Sequence, residues 1–336
     1  MIKGARAAGS EGAAAAAAQA VLDGGGGAVD AVIAGFFGAA GANPGVLFAP
    51  VVALVAGFGA GGRVFDGRAA QPGRGAPRPR GFVDEASIPA GAYVAAPRSI
   101  AMLVLLSGYR GKASLGELVR PGVAAAANAG AKERAALLRK VGAGGVLALR
   151  SPEVERELLA VGGSVAGGVL TAEDLGEARP AEAEATAAVV GEGVTVYAPP
   201  FPVSGEAHGA AEVVMACDAR GLIAALAYTP AQHGITVPGL EVTLGRSAVP
   251  VRRGVTRVAP GTVLPAPAPV AIALQSGGFA TAVGLPGRAL VEVLAVAGLA
   301  RGAALETALA ELRDHAGGDK AVAVVTDGKT ARAAVV

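Results

Sequence analysis

Hydrophobic positions recur at helical spacing in two alanine-rich segments near the start of the chain. They predict helices at 12–22 and 28–40, separated by glycines at 24–27, with Pro44 ending the second. Continuous apolar residues predict buried strands at 51–58 and, after a second group of glycines, at 63–66. The segment 71–88 is rich in Pro, Gly and Arg and predicts a loop.

The second half of the chain has more strand patterns. Two β-rich runs joined by a turn containing Gly221 predict a hairpin from about Ala210 to Pro230. Other predicted strands lie at 185–190, 194–197, 249–258, 269–274, 279–283 and 321–326. Predicted helices lie at 98–107, 115–128, 132–141, 288–300 and 303–316, with shorter helical pieces within 151–175. This order predicts stacked α and β layers around one core.

Composition narrows the classes of function. The chain has 336 residues, 52% hydrophobic and only 4% aromatic, so small side chains must pack its core closely. A formal charge of +2 with scattered basic residues does not indicate a nucleic-acid partner. The lone Cys217 excludes an internal disulfide or a cysteine zinc cluster, and His208, His233 and His315 have no metal-ligand spacing. No metal or cofactor is expected.

Residues 31–62 contain no charged side chain, yet they do not predict a membrane span. Asn43, Pro44 and repeated glycines divide the run into pieces that are too short. Lys3 and Arg6 precede an alanine run, as in a signal peptide, but Glu11 and the lack of a leucine core oppose that interpretation. We therefore expect a soluble, cytoplasmic chain without a targeting segment.

Several motifs, in order, resemble the γ-glutamyltranspeptidase family across nearly the whole chain. They are GGGAVDAVIAG at 25–35, NP at 43–44, FDGRAAQP at 65–72, GGVLTAEDL at 167–175, VYAPPFPVSG at 196–205 and VGLPG at 283–287. The resemblance implies the four-layer α/β/β/α sandwich of the N-terminal-nucleophile hydrolases. It also implies a single domain over 1–336, with a large-subunit-like part at 1–180 and a small-subunit-like part at 181–336.

The family's nucleophile is a Thr that becomes a new N-terminus when the precursor cleaves itself. Its hydroxyl attacks an amide carbonyl while the freed α-amine acts as the base. Alignment back from Asp218 and Gly221 places Ala211 at that position, and a shift of one residue gives Ala210. Because alanine has no hydroxyl, we expect a chain that is not cleaved.

Three other residues match positions that have roles in the family. Arg68 matches the Arg that binds the substrate carboxylate, and Thr229 matches the hydroxyl that supports the nucleophile. Gly287 matches one glycine of the oxyanion pair, but Arg288 stands at the other. For Arg68 the residues leave two interpretations open, an anion anchor or an ion pair with Asp66.

Other family motifs are replaced. Ala231, followed by Gln232, stands where the family has an Asn. Residues 245–250 replace the acidic segment that holds the substrate amine, PAPAP at 265–269 replaces a serine-rich motif, and LFAPV at 47–51 replaces a glycine run.

Alternative chemical groups are few. Ser204 and Cys217 are the alternative nucleophiles, and Ser276 beside two glycines is better explained by a turn. His208 with Glu206 could form an acid–base pair. Asp30 is expected to act at a helix start and not in catalysis.

Two classes of function remain. The first is a catalytically inactive protein with a binding, regulatory or assembly role, whose ligand is a γ-glutamyl compound or another small carboxylate. The second is an active γ-glutamyl transferase, hydrolase or amidase whose nucleophile is unrecognised or was engineered away at Ala210 or Ala211. A third hypothesis is a subunit that completes its site with a second chain in a homo- or hetero-oligomer.

Overall fold

The computed structural model describes residues 2–57, 59–77, 81–176, 179–190, 193–201, 210–288 and 304–336. Its helices are α1 (Gly12–Asp23), α2 (Ala28–Ala42), α3 (Ser99–Arg110), α4 (Leu115–Leu118), α5 (Arg120–Asn128), α6 (Lys132–Gly144), α7 (Pro152–Gly162), α8 (Ala172–Gly176) and α9 (Leu305–Ala316). Its strands are β1 (Arg6–Gly9), β2 (Val51–Gly57), β3 (Ala60–Gly67), β4 (Ala181–Glu184), β5 (Thr186–Val189), β6 (Val194–Ala198), β7 (Glu212–Cys217), β8 (Leu222–Tyr228), β9 (Ile235–Val237), β10 (Val242–Leu244), β11 (Val270–Gln275), β12 (Phe279–Gly284), β13 (Val322–Thr326) and β14 (Ala331–Val335).

Two antiparallel six-stranded sheets form the centre of the molecule. The first has the order β1-β7-β8-β2-β3-β4 and the second the order β14-β13-β12-β11-β6-β5. The chain passes from the first sheet to the second at Ala185, between β4 and β5. The first sheet combines strands from both parts of the sequence, since β8 pairs with β2 along its whole length.

Three buried hydrophobic clusters separate four layers. One cluster lies between helices α1 to α7 and one face of the first sheet, a second lies between the two sheets, and a third lies between the second sheet and α9. Side chains alternate accordingly along β7, where Val214 faces the helices and Val213 faces the second sheet. The predicted α/β/β/α sandwich is confirmed.

Small residues allow these layers to approach closely. A Cβ placed on Gly41 of α2 would overlap the backbone of Gly122 in α5, and one on Gly122 would overlap the carbonyl of Phe37. Between the sheets, a Cβ on Gly284 would lie 2.8 Å from the Val213 side chain. The abundance of glycine and alanine is therefore a packing requirement, as the composition predicts.

The structure differs from the predicted elements at several points. The helix predicted at 115–128 divides into α4 and α5, with Pro121 in the first turn of the latter. The strand predicted at 249–258 is wrong: Pro250 has no N–H, and the segment makes a single isolated bridge between Arg252 and Phe82. Strands β1, β4, β9, β10 and β14 were not predicted, and most of the predicted helix at 288–300 lies outside the described residues.

Within the described part of the chain, no helix is both long enough and apolar enough to cross a membrane.

Candidate functional site

The β7–β8 hairpin brings two of the predicted site residues together. Its strands pair up to Glu212 opposite Tyr228, so the next residues outward, Ala211 and Thr229, lie opposite each other. Directly opposed residues in an antiparallel pair project to the same face of the sheet. Both therefore face the second sheet.

Arg68 lies in the same row of the first sheet. The Thr229 N–H donates to the Pro50 carbonyl at 3.0 Å, and the register of β2 on β3 places Arg68 beside Pro50. Three strand spacings separate Arg68 from Ala211, roughly 14 Å at the usual 4.8 Å per strand. The fold thus aligns three residues that are distant in sequence along one edge of the sheet.

Ala211 presents only a methyl group at this edge. It is fully buried, and its carbonyl accepts a hydrogen bond of 2.9 Å from the N–H of Gly287. Gly287 has φ of +76°, a left-handed conformation that favours glycine. The N–H that the resemblance assigns to an oxyanion is therefore already bound to the backbone of Ala211. Ala210, the alternative position, is partly buried.

Among the described residues, the Thr229 hydroxyl has no hydrogen-bond partner. The residue is only 6% exposed, and its Oγ1 is buried without a hydrogen bond among the described residues. An unsatisfied buried hydroxyl costs about 1–3 kcal/mol. The hydroxyl predicted to support a nucleophile is present, but a methyl group stands opposite it.

Arg68 is paired with a neighbouring carboxylate. Its Nε donates to Asp66 Oδ1 at 3.1 Å and its Nη2 to Oδ2 at 2.9 Å, while the guanidinium carbon lies 3.8 Å from the centre of the Phe201 ring. The Arg68 side chain is only 12% exposed. The structure shows the ion pair with Asp66, which is one of the two interpretations that the sequence leaves open.

The opposite face of the same hairpin end carries buried acidic groups that sequence reasoning missed. Tyr228 donates its hydroxyl to Glu11 at 2.7 Å, and Glu212 has a buried Oε2 without a partner among the described residues. Burial, with a further contribution from the Glu212 charge, raises the pKa of Glu11, and the Tyr228 hydrogen bond opposes this shift. Burial and the nearby Glu11 also raise the pKa of Tyr228. The sequence carried one signal for this placement. Glu212 lies two residues before Val214, so the alternation along a strand places both side chains on the helix-facing side of the sheet.

A cavity of about 340 Å³ opens beside Thr229 at the same edge. It is lined by Pro50, Thr229, Pro230, Ala231, Gln232, His233, Gly234, Gly245, Arg246 and Ser247. It therefore includes residues from three of the segments in which the sequence departs from the γ-glutamyltranspeptidase motifs, 47–51, 231–232 and 245–250. No group of three potential metal-ligating side chains occurs within the described ranges.

Comparison with known proteins gives matches in structure only. No protein-family model and no curated protein sequence matches the chain. The structure of a cephalosporin acylase from Bacillus halodurans is similar over 99% of this chain and 96% of that chain, with a TM-score of 0.71 and 13% identity. A γ-glutamyltranspeptidase from Pseudomonas nitroreducens, in complex with L-DON, is similar over 60% of this chain and 72% of that chain, with a TM-score of 0.51 and 19% identity.

The chain has the N-terminal-nucleophile hydrolase fold. The similarity to the acylase includes both sheets and nearly all of the chain. Because the sequence identities are low, these structural similarities show the fold alone.

Two of the remaining candidate groups, Cys217 and Ser276, lie away from the row of the site. Cys217 is the last residue of β7 and is fully buried. Burial, together with the charge of Asp218, raises the pKa of its thiol to about 12, so it is protonated at neutral pH. Ser276 lies in the turn between β11 and β12, as predicted. Ser204 and the His208–Glu206 pair lie outside the described residues.

Asp30 has a structural role that differs in detail from the predicted one. It lies in the first turn of α2 but makes no capping bond there. Its carboxylate accepts hydrogen bonds from the backbone N–H groups of Lys112 and Ala113, after α3. The residue ties α2 to the α3–α4 connection.

Proposed function

We propose that this chain is an uncleaved, γ-glutamyltranspeptidase-like protein with the N-terminal-nucleophile hydrolase fold that no longer hydrolyses amides and acts by binding a small molecule. The observation that carries the proposal is the pair formed by Ala211 and Thr229. The support hydroxyl is kept and buried, has no hydrogen-bond partner among the described residues, and lies across from a methyl group where the resemblance places a nucleophile. A hydroxyl at 211 would supply the missing partner.

Two other contacts support the same proposal. The Gly287 N–H binds the Ala211 carbonyl, so stabilising an oxyanion there would require breaking that bond. Arg68, predicted to hold a substrate carboxylate, is neutralised by Asp66. Position 211 thus has no hydroxyl for attack, the Gly287 N–H is already bonded, and Arg68 shares its guanidinium with Asp66.

We further propose a cytoplasmic location. Cys217 is the only cysteine and is buried as a free thiol, which suits a reducing compartment.

Hydrolysis of a γ-glutamyl anilide tests the proposal. We expect the purified chain to release no more of the aniline product than a heat-denatured sample does. The alternative, an active enzyme with another nucleophile, predicts turnover that is lost in Ser204→Ala. Because the Cys217 thiol is buried and protonated, Cys217→Ala serves as the matched control and should change nothing. Turnover by the unaltered chain would contradict the proposal.

A further inference from the structure

Arg68 and Arg246, which both lie near this edge of the first sheet, differ in what faces them. Arg68 is held by Asp66 and is almost fully covered. Arg246 is exposed, lines the 340 Å³ cavity, and forms no ion pair among the described residues. Only the second is free to receive an anion.

Arg246 is also held in place. Its guanidinium carbon lies 4.7 Å from the centre of the Tyr93 ring, and the backbone at Arg246 bridges to Val94. A guanidinium stacked on an aromatic ring keeps its donors directed within one plane. Because the Arg246 side chain is already held in place, it loses less conformational entropy when a carboxylate binds to its two parallel donors.

The rest of the cavity lining favours an organic anion. Among the described residues that line it, Arg246 carries the only formal charge, and no carboxylate is present. Pro50, Pro230 and Ala231 offer an apolar wall without side-chain donors, while Gln232, His233 and Ser247 add polar side chains. A volume of 340 Å³ falls within the range of small-molecule pockets.

We propose that this cavity binds a small monocarboxylate with an apolar body, its carboxylate on Arg246 and its body against Pro50 and Pro230. A single fixed positive charge matches a monoanion, whereas a phosphate dianion would leave one negative charge unpaired. This inference rests on the binding role proposed above and names the ligand class of that role. It places the carboxylate on Arg246 and not on Arg68, the residue that the resemblance indicates.

Calorimetric titration with phenylacetate and with its neutral amide, phenylacetamide, tests the site in the full chain. The two probes share a shape and differ in charge. A charge-assisted hydrogen bond is worth about 1.5–3 kcal/mol, so we expect phenylacetate to bind at least about tenfold more tightly than the amide. Arg246→Gln should remove that difference, and added salt should reduce it.

A matched control is available in Arg110. It is also exposed and lies over a tyrosine, with its guanidinium carbon 5.5 Å from the centre of the Tyr109 ring, but it does not line the cavity. Arg110→Gln should bind phenylacetate as the unaltered chain does. Equal binding of acid and amide, an unchanged affinity in Arg246→Gln, or no binding of phenylacetate at millimolar concentration would overturn the inference.

Anilide hydrolysis measured on the same samples separates this inference from the proposed function. An inert chain that does not bind phenylacetate contradicts only the ligand class. A chain that hydrolyses the anilide contradicts the proposed function, whatever it binds.

Discussion

At the end of the β7–β8 hairpin, the two faces carry different chemical groups, although residues next to each other in sequence supply them. Toward the second sheet lie the Ala211 methyl and the unpartnered hydroxyl of Thr229. Toward the helices lie Glu212, Tyr228 and Glu11, with two carboxylates and a phenol in a mostly buried setting. Most polar groups at this end of the hairpin therefore lie on the helix-facing side. Few lie on the side that faces the second sheet, where the resemblance would place a reaction.

The largest expected effect comes from placing a charge on the inter-sheet face. Ala211→Asp would bury a carboxylate at a fully buried position, which costs several kcal/mol, and we expect the domain to unfold or to melt far earlier. The adjacent Glu212→Ala, on the helix face, removes a partly buried carboxylate and should change stability much less. Urea unfolding of both variants measures the contrast, and similar losses would contradict it.

A smaller effect is expected from the hydrogen bond on the helix face. Tyr228→Phe keeps the ring that packs edge-on against Phe36, with centroids 5.6 Å apart, but removes the donor to Glu11. Because the acceptor is a carboxyl group left in a largely buried place, we expect a loss of about 1.5–3 kcal/mol in the free energy of unfolding. Glu11→Gln combined with Tyr228→Phe should lose less than the sum of the single variants, since the two groups share one contact. Additive losses would show that the contact is not formed.

Removing the orphan hydroxyl on the other face should have the opposite sign. Thr229→Val replaces the unpartnered Oγ1 by a methyl group of similar size, so we expect stability to rise by about 1 kcal/mol. Thr171→Val is the matched control, because its Oγ1 donates to the Arg74 carbonyl at 2.8 Å, and it should destabilise by about 1 kcal/mol. Chemical denaturation distinguishes the two, and a loss in Thr229→Val would show that this hydroxyl has a partner.

The smallest effect is a pH dependence that arises from the helix face. The folded-state pKa of Glu11 is raised above its ordinary value of 4.5, chiefly by burial. Its contribution to stability is therefore fully present below that value and is lost as the pH rises through the folded-state pKa. Melting temperatures across the acidic range should show this decline in the unaltered chain, and Glu11→Gln should flatten it. An identical profile in the variant would contradict the assignment.

Local pattern in the sequence was sufficient for much of the scaffold. The β7–β8 hairpin, α1, α2 and β2 follow from runs of apolar residues and from Gly and Pro at their ends, because these signals act over a few neighbouring residues. The strand prediction at 249–258 was wrong. The apolar residues around Pro250 resemble a strand locally, but this segment pairs with no strand among the described residues.

The sequence predicted residues of the site only at positions that match a family motif. The resemblance placed Ala211, Thr229 and Arg68, and the fold aligns them in one row. It did not reveal the Glu11–Tyr228 contact, whose partners lie 217 residues apart, nor the cavity at Arg246. Both depend on tertiary packing that no local pattern encodes.

The intact mass of the purified chain after prolonged incubation tests the central claim most directly. With Ala211 directly before β7 and no side-chain hydroxyl on either Ala210 or Ala211, the account predicts one chain of 32.4 kDa. Two fragments separated by a break before Ala210 or Ala211 would contradict it, because self-cleavage at that point requires the nucleophile that the account says is absent.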